Sequence, residues 1–335
     1  MTTAAVVGIG DISGNHLHAI VEHPAIDLVA VCDIDADRAK AAAAQWGVRG
    51  FTDVDEMLRE VRPDVVHITL PHHLHAPVAE AALRAGSHVL TEKPVAESYA
   101  AGAELARVAK ESGRTLGVCF QNRYNDSSQA MRRLVDDRTY GSVLSARASV
   151  WWHRDAAYYA ASPWRATWRE AGGGVLINQT IHTIDLLCWL LGAPEEVSGV
   201  AANLTHRDIA EVEDTATVTM RHPGGVTSVY FATNCHAENA PVEFEIVFES
   251  ATVRLQDGQL LAATPDGDVQ VLASDLVAEG ERSYWGASHA RLIADFYAHL
   301  SAEQPFWIDA DAALVSLGVL RDTYIASGLV PAHGR

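Results

Sequence analysis

The chain has 335 residues, a net charge of −18 and 48% hydrophobic residues, with 20% charged. That length suits about two domains, and the acidic surplus disfavours nucleic acid and anionic membranes as partners, which need clustered Lys and Arg. No apolar run is long enough to span a bilayer, and the start "MTTAAVVGIG" lacks the basic n-region of a secretory signal.

The first third alternates strand-like and helix-like segments. "AAVVGI" is a short apolar strand, and the stretch from Gly14 to Glu22 has helical composition. "DLVAVCD" is a second strand, followed by the alanine-rich helix "DADRAKAAAAQWG", closed by Gly47. "PDVVHITL", "SHVLTEKP" and "TLGVCF" are further strands, separated by helices that end at Gly86 and Gly113. Nearly all-apolar strands alternating with helices indicate a parallel sheet covered on both faces. After Phe120 the pattern changes. "DSSQAMRRLVDDR" is a helix, and "SVLSARASVWWHR", "TATVTMRH", "VTSVYFATN" and "VEFEIVFES" are strands of an antiparallel sheet with one covered face. Two helices, near Ser288–Leu300 and Ala310–Ala326, close the chain. The expected fold is α/β: a Rossmann domain over residues 1–122, and an α+β domain over 123–335 whose last helices can return to the first domain.

Gly8 and Gly10 follow the first strand, in the place where a dinucleotide fingerprint makes a tight turn and lets backbone approach a pyrophosphate. Ser13 stands at the third glycine position and Gly14 follows it. Asp33 ends the second strand, where an acid grips ribose hydroxyls. Its carboxylate would repel a 2′-phosphate, so NAD is expected over NADP, with Arg38 as the counterweight favouring NADP. The four cysteines form no C-x-x-C and are expected as reduced thiols in a cytoplasm. His72, His73 and His75 lack acidic or thiol companions at ligand spacing, so no metal is expected there.

"GGGVLINQTIHTIDLLCWLLG", from Gly172 to Gly192, resembles a phosphate loop in its glycines but lacks the following Lys-Ser/Thr. The glycines are expected to let backbone pass close to substrate or nicotinamide. Helical spacing would place Ile177, Ile181, Ile184 and Cys188 on a core face, and Asn178, His182 and Asp185 on a polar stripe beside it.

Together, "GIGDISGNHLHAI", "CDIDADRA", "LPHHLHAPVAEAAL", "EKP" and the GGG…H-x-x-D segment resemble the Gfo/Idh/MocA family, the glucose–fructose oxidoreductase and inositol dehydrogenase relatives. The resemblance covers the chain to about Gly192. It implies hydride transfer between NAD(P) and a carbohydrate-like alcohol, a cis bond between Lys93 and Pro94, and a homodimer or homotetramer formed through the second sheet. Lys93 would lie near the nicotinamide and the reacting hydroxyl, and His182 would be the base. Asn178 stands where many relatives carry Asp; it cannot take a proton, only hydrogen-bond. Asp185 is expected to orient or support.

The cofactor-facing set is then Gly8, Gly10, Asp11, Ile12, Ser13, Asp33, Arg38, Pro71, His72, His75, Glu92, Lys93 and Gln121. The substrate set adds Arg123, His153, Arg154, Tyr159, Trp164 and Arg165 to Lys93, Asn178 and His182, because aromatic faces and Arg or His donors suit a sugar. Two other functions share these features: a same-fold enzyme whose tightly held NAD serves a net non-redox elimination, and a non-catalytic dinucleotide sensor. Non-exchanging cofactor would mark the first, and loss of Lys93 or His182 the second.

Overall fold

The computed structural model describes residues 1–275 and 288–330. They form two compact units: residues 1–121 with 289–314, and residues 122–275 with 288 and 315–330.

The first unit is built on β1 (Thr2–Val7), α1 (Ser13–Glu22), β2 (Ile26–Cys32), α2 (Ala36–Trp46), β3 (Arg49–Phe51), α3 (Val54–Val61), β4 (Val65–Ile68), α4 (His72–Arg84), β5 (His88–Thr91), α5 (Tyr99–Ser112) and β6 (Leu116–Val118). The six strands pair in parallel in the order β3-β2-β1-β4-β5-β6, a doubly wound topology. Register fixes what this sheet presents at one edge. Val7 pairs with both Cys32 and Ile68, Ile68 with Thr91, and Thr91 with Val118. Each strand's next residue (Gly8, Asp33, Thr69, Glu92, Cys119) therefore falls on one row at the carboxyl ends, where such sheets bind ligands. Gly47 and Gly113 end α2 and α5 in the left-handed conformation, at φ 68° and 67°, which costs glycine little.

The second unit contains α6 (Asp126–Asp137), β7 (Val143–Trp151), α7 (Ala156–Ala161), α8 (Trp168–Ala171), α9 (Ile181–Leu191), β8 (Glu196–Ala202), β9 (Thr215–Arg221), β10 (Thr227–Thr233), β11 (Glu243–Phe248), β12 (Thr252–Gln256), β13 (Gln259–Ala263) and β14 (Val269–Ser274). Its eight strands run in the order β14-β13-β12-β11-β7-β10-β9-β8, antiparallel except where β7 meets β10. One face is buried: Ala146, Ala148, Val150, Val218, Met220, Tyr230 and Ile246 lie against core. The other leaves Val200, Val229, Val269 and Val271 exposed. Two helices, α10 (Ser288–His299) and α11 (Ala310–Ala326), complete the chain. Among the described residues no single helix is long and apolar enough to cross a membrane.

The glycine-rich segment departs from the continuous helix expected of it. Residues Val175–Gln179 form a π turn, closed by Thr180 N–H donating to Val175 O at 3.0 Å. The helical pieces Trp168–Gln179 and Ile181–Leu191 meet at a 64° bend. Ile177 and Asn178 thus belong to the turn, not to α9, and the stripe of Asn178, His182 and Asp185 does not exist as one helical face. The glycines also have another reason. A Cβ on Gly174 would sit 1.9 Å from the carbonyl oxygen of Glu213, and one on Gly173 2.3 Å from the hydroxyl of Tyr324. These two residues let backbone pass close to Glu213 and Tyr324 in the core.

Candidate active site

The row of strand ends in the first unit has the features a dinucleotide needs. Gly8 has φ 92°, and a Cβ there would lie 2.8 Å from the Thr69 carbonyl oxygen, so only glycine makes this turn. A Cβ on Gly10 would meet nothing within 4 Å, which leaves open space against the backbone. Ser13 closes the turn by donating its hydroxyl to Gly10 O at 2.7 Å. No side chain caps α1 at Ile12; the Ser13 and Asn15 amides donate to Gly10 O and Ile12 O at 3.1 Å each, and the helix start still turns its positive end toward an anion in the Gly8–Gly10 turn. Asp11 is exposed beside them.

Asp33 is tied at both oxygens. Oδ2 accepts from Ile9 N–H at 2.8 Å, and Oδ1 accepts from Asp35 N–H and Arg38 Nη2, both at 2.9 Å. Burial pushes this carboxyl's pKa up, but the Arg38 hydrogen bond and the two amides outweigh it and hold it below the ordinary range. Arg38 Nε also donates to Oδ1 at 3.3 Å, which leaves Oδ2, with the Ile9 amide on it, as the oxygen that can turn to a ribose hydroxyl. Arg38, expected as a phosphate partner, is paired with Asp33 and Asp35.

Glu92 and Lys93 follow β5, and the Lys93–Pro94 bond is cis. Glu92 Oε2 accepts the amide of Lys93 at 3.2 Å, and Oε1 accepts from His16 Nε2 and His289 Nε2, each at 3.2 Å. The chain continues inward: His16 Nδ1 lies 2.8 Å from His67 Nδ1, and His67 Nε2 2.9 Å from the Tyr297 hydroxyl. Burial lowers the pKa of both His16 and His67, so both rings are neutral and the acceptors dictate the tautomers. The Tyr297 hydroxyl donates to His67, His67 Nδ1–H to His16, and His16 Nε2–H to Glu92. Burial would lift Glu92, but the hydrogen bonds from His16 and His289 hold it well below the usual range. It is a clamped carboxylate beneath the Lys93 backbone. His75 spans the Leu70 and Pro94 carbonyls at 2.7 Å each, holding the loop after β4 against the EKP loop. His72 and Gln121 are buried, and Pro71 precedes α4.

The second unit gathers a different set. Tyr158, on α7, is the centre of a polar cradle. Its hydroxyl accepts from Gln179 Nε2 at 2.8 Å and from Asn178 Nδ2 at 3.4 Å, and Gln179 Oε1 accepts from Asn234 at 3.1 Å. The Arg154 and Arg165 guanidiniums lie 5.2 and 4.7 Å from the Tyr158 ring centroid, Arg154 also 5.1 Å from Trp152 and Arg165 5.4 Å from Trp164. Asn178, Arg154, Trp164 and Arg165 are thus together. Tyr159 lies behind them, its ring edge-on to Tyr158 at 5.2 Å between centroids and its side chain hydrogen-bonded to Asn234. It is 4% exposed, packed with Ala210 and Val212, and burial pushes its pKa up to about 12. Tyr159 therefore backs the cradle from the core, and Tyr158, which the sequence reading did not single out, presents its hydroxyl to Gln179 and Asn178. His153 is exposed, and its Nδ1 lies 2.8 Å from the His236 carbonyl oxygen.

Arg123 has a use other than the substrate contact expected of it. Its Nε and Nη2 donate to the two oxygens of Asp185 at 2.8 and 2.6 Å, with both side chains almost wholly buried. The pair fixes the start of α6 to α9, so Asp185 supports the helix that carries His182 and is not set against His182 itself. His182 is half-buried in the first turn of that helix.

Comparison with known proteins decides the family. Residues 2–120 match the model of the oxidoreductase family with an NAD-binding Rossmann fold, and residues 128–254 the GFO/IDH/MocA C-terminal domain. The chain belongs to the Gfo/Idh/MocA family. It is 32% identical over 257 residues to inositol 2-dehydrogenase of Rubrobacter xylanophilus, a stretch covering 75% of this chain and 70% of that one. It is 31% identical over 194 residues to D-glucoside 3-dehydrogenase of Escherichia coli, covering 57% of this chain and 54% of the relative. The WlbA dehydrogenase of Bordetella pertussis, solved with NADH and UDP-GlcNAcA, superposes with a TM-score of 0.85 at 29% identity, over 97% of this chain and 96% of that one. A Gfo/Idh/MocA chain is an NAD-binding oxidoreductase with sugar and polyol dehydrogenases among its relatives.

Proposed function

We propose that this protein is an NAD-preferring dehydrogenase or reductase of a secondary hydroxyl on a sugar, inositol-like polyol or glycoside. The observation that carries the reading is Lys93, held at the carboxyl edge of the parallel sheet by the doubly clamped Glu92, on the same row as the Gly8 turn and Asp33. The bound dinucleotide supplies the hydride acceptor or donor. His182 takes the proton of the substrate hydroxyl in oxidation and returns it in reduction, as a neutral imidazole does near pH 7. The Lys93 ammonium polarises the same oxygen and stabilises the alkoxide charge that develops on it. Asn178, Tyr158 and Gln179 hold hydroxyls by hydrogen bonds, and Trp164 offers an apolar face to sugar C–H groups. Arg154 and Arg165 add positive charge, which suits a substrate with a carboxylate or phosphate.

The exposed apolar side chains Val200, Val229, Val269 and Val271 on the second sheet support a homo-oligomer formed through that face. The test is a panel of sugars, uronic acids, sugar phosphates, polyols and glycosides with NAD and NADP, followed by the absorbance of the reduced cofactor. Substrate-dependent reduction of NAD that is lost in Lys93→Met and in His182→Ala is the expected result. Turnover that survives intact in either variant overturns the assignment of roles.

A further inference from the structure

The second unit also holds a group of ligand atoms for which hydride transfer has no use. His206, Asp214 and Cys235 bring a ring nitrogen, a carboxylate oxygen and a sulfur within 4.8 Å of one another. His206 Nδ1 is 3.0 Å from Asp214 Oδ2 and 4.0 Å from Cys235 Sγ. The Thr205 hydroxyl lies 2.9 Å from the sulfur, 3.1 Å from Oδ2 and 3.2 Å from Nδ1.

The protons of this cluster are constrained. His206 Nε2 lies 2.7 Å from the Arg154 carbonyl oxygen. A carbonyl only accepts, so Nε2 carries a hydrogen. With that hydrogen on Nε2, the ring turns its Nδ1 edge to Asp214 Oδ2 at 3.0 Å, with the Cys235 sulfur 4.0 Å away, so the three candidate donors face one another.

We propose that His206 Nδ1, Asp214 Oδ2 and Cys235 Sγ form a site for a divalent ion of the zinc class, with the Thr205 hydroxyl or water as fourth donor. Imidazole, carboxylate and thiolate are the donor types this ion takes in tetrahedral sites. The surroundings have the supporting bonds of a metal site. The ring donates its other N–H to a carbonyl, and the ligating carboxylate is itself held, Oδ1 by Leu204 N–H at 2.9 Å and Oδ2 by Thr205 and His206 N–H at 2.8 and 3.1 Å. An ion on Oδ2 replaces the Thr205 hydroxyl there. His206 and Asp214 are buried and Cys235 is half-exposed, so the ion enters past the sulfur. Bound there, it ties the turn after β8 to the ends of β9 and β10. Through Nε2 it also holds the backbone of Arg154, beside the Tyr158 cradle. This site does not depend on the dehydrogenase reading.

The test uses untagged full-length protein stripped of metal by a chelator and titrated with cobalt(II). The expected result is one cobalt per chain, with tetrahedral d–d absorption and a thiolate charge-transfer band, both abolished by zinc. Cys235→Ser removes the charge-transfer band and weakens binding by at least about tenfold, and His206→Gln weakens it similarly; circular dichroism establishes that each variant is folded. A second measurement covers a misfolded variant: zinc protects Cys235 of the wild type from alkylation, since Cys32, Cys119 and Cys188 are buried. Absence of stoichiometric cobalt binding, equal binding in folded Cys235→Ser, or alkylation unaffected by zinc overturns the proposal and leaves an imidazolium–carboxylate pair in its place.

Discussion

Asp33→Asn tests the cofactor end. The carboxylate accepts from Ile9 N–H, Asp35 N–H and Arg38 at 2.8 to 2.9 Å. A 2′-phosphate brought to about 5 Å from it meets roughly 3 kcal/mol of repulsion per unit charge at an effective dielectric near 20. Arg38 offsets part of this, although its side chain is 55% exposed and solvent screens it. A net discrimination of about 2 kcal/mol remains, or roughly thirtyfold in favour of NAD. Asparagine removes the charge but turns an NH2 group toward a backbone N–H that has lost its acceptor, a local cost of about 1–3 kcal/mol. That cost falls on both cofactors alike, so the informative quantity is the ratio of kcat/KM for NAD to that for NADP. Steady-state assays of wild type and variant should show the ratio falling about ten- to thirtyfold. An unchanged ratio, or a wild type that prefers NADP, refutes the electrostatic argument.

Other outcomes follow from the same geometry. Lys93→Met and His182→Ala should each lower kcat by about 10²–10⁴-fold while NAD still binds by fluorescence titration; loss of NAD binding would move these residues to a structural role. Tyr158→Phe should raise the substrate KM several-fold with little change in Tm, whereas Tyr159→Ala should cost about 3–5 kcal/mol in denaturant unfolding; the reverse pattern would restore Tyr159 to the site. Asp185→Asn removes the carboxylate charge that faces the buried Arg123 guanidinium and should cost about 3–5 kcal/mol, visible as a large drop in Tm. Burial lifts Glu213 to about 7 in spite of the donors Leu176 N–H, Gly174 N–H and Tyr324 O–H. Between about pH 4.5 and 7 the folded chain then keeps a proton that the unfolded chain gives up, so this group's contribution to stability falls as pH rises through that window and is level above it. Unfolding measured across the window should show the slope flattened in Glu213→Gln; an identical slope there assigns it to another group.

The first unit was largely legible because its strands are apolar runs and its helices end on glycines such as Gly47 and Gly113 that the backbone needs. Two of its elements were missed. β3 is three residues long, too short to show a period. α3 did carry a signal: Asp53 accepts from Glu56 N–H at 2.7 Å, an Asp-x-x-Glu start that marks a helix. In the second sheet, Asp257-Gly258 between β12 and β13 is a two-residue hairpin turn that could have been read, and both residues have positive φ. The bend at Thr180 could not be read. Asn178 and His182 have helical spacing, and a π turn differs from an α turn by one hydrogen bond that no residue there announces. Tyr158 and Tyr159 are adjacent and chemically identical; which one faces the cradle depends on how α7 lies on Ala210 and Val212, far along the chain. Arg123 and Asp185 were each noticed, but pairing them needed the packing of α6 on α9.

The clamp on Glu92 makes the nucleotide-binding half discontinuous in the gene. A fragment cut at residue 121 would retain every strand of the parallel sheet and lose α10. With it would go the Phe296 ring that fills the space over Gly117, the Tyr297 hydroxyl that heads the chain of histidines, and one of the two imidazoles on Glu92. The backbone pairing of Val118 with Ile308 would go as well. Such a fragment could keep its glycine turn yet carry a slack lysine. Swapping this half between relatives therefore requires transplanting residues 289–314 along with residues 1–121.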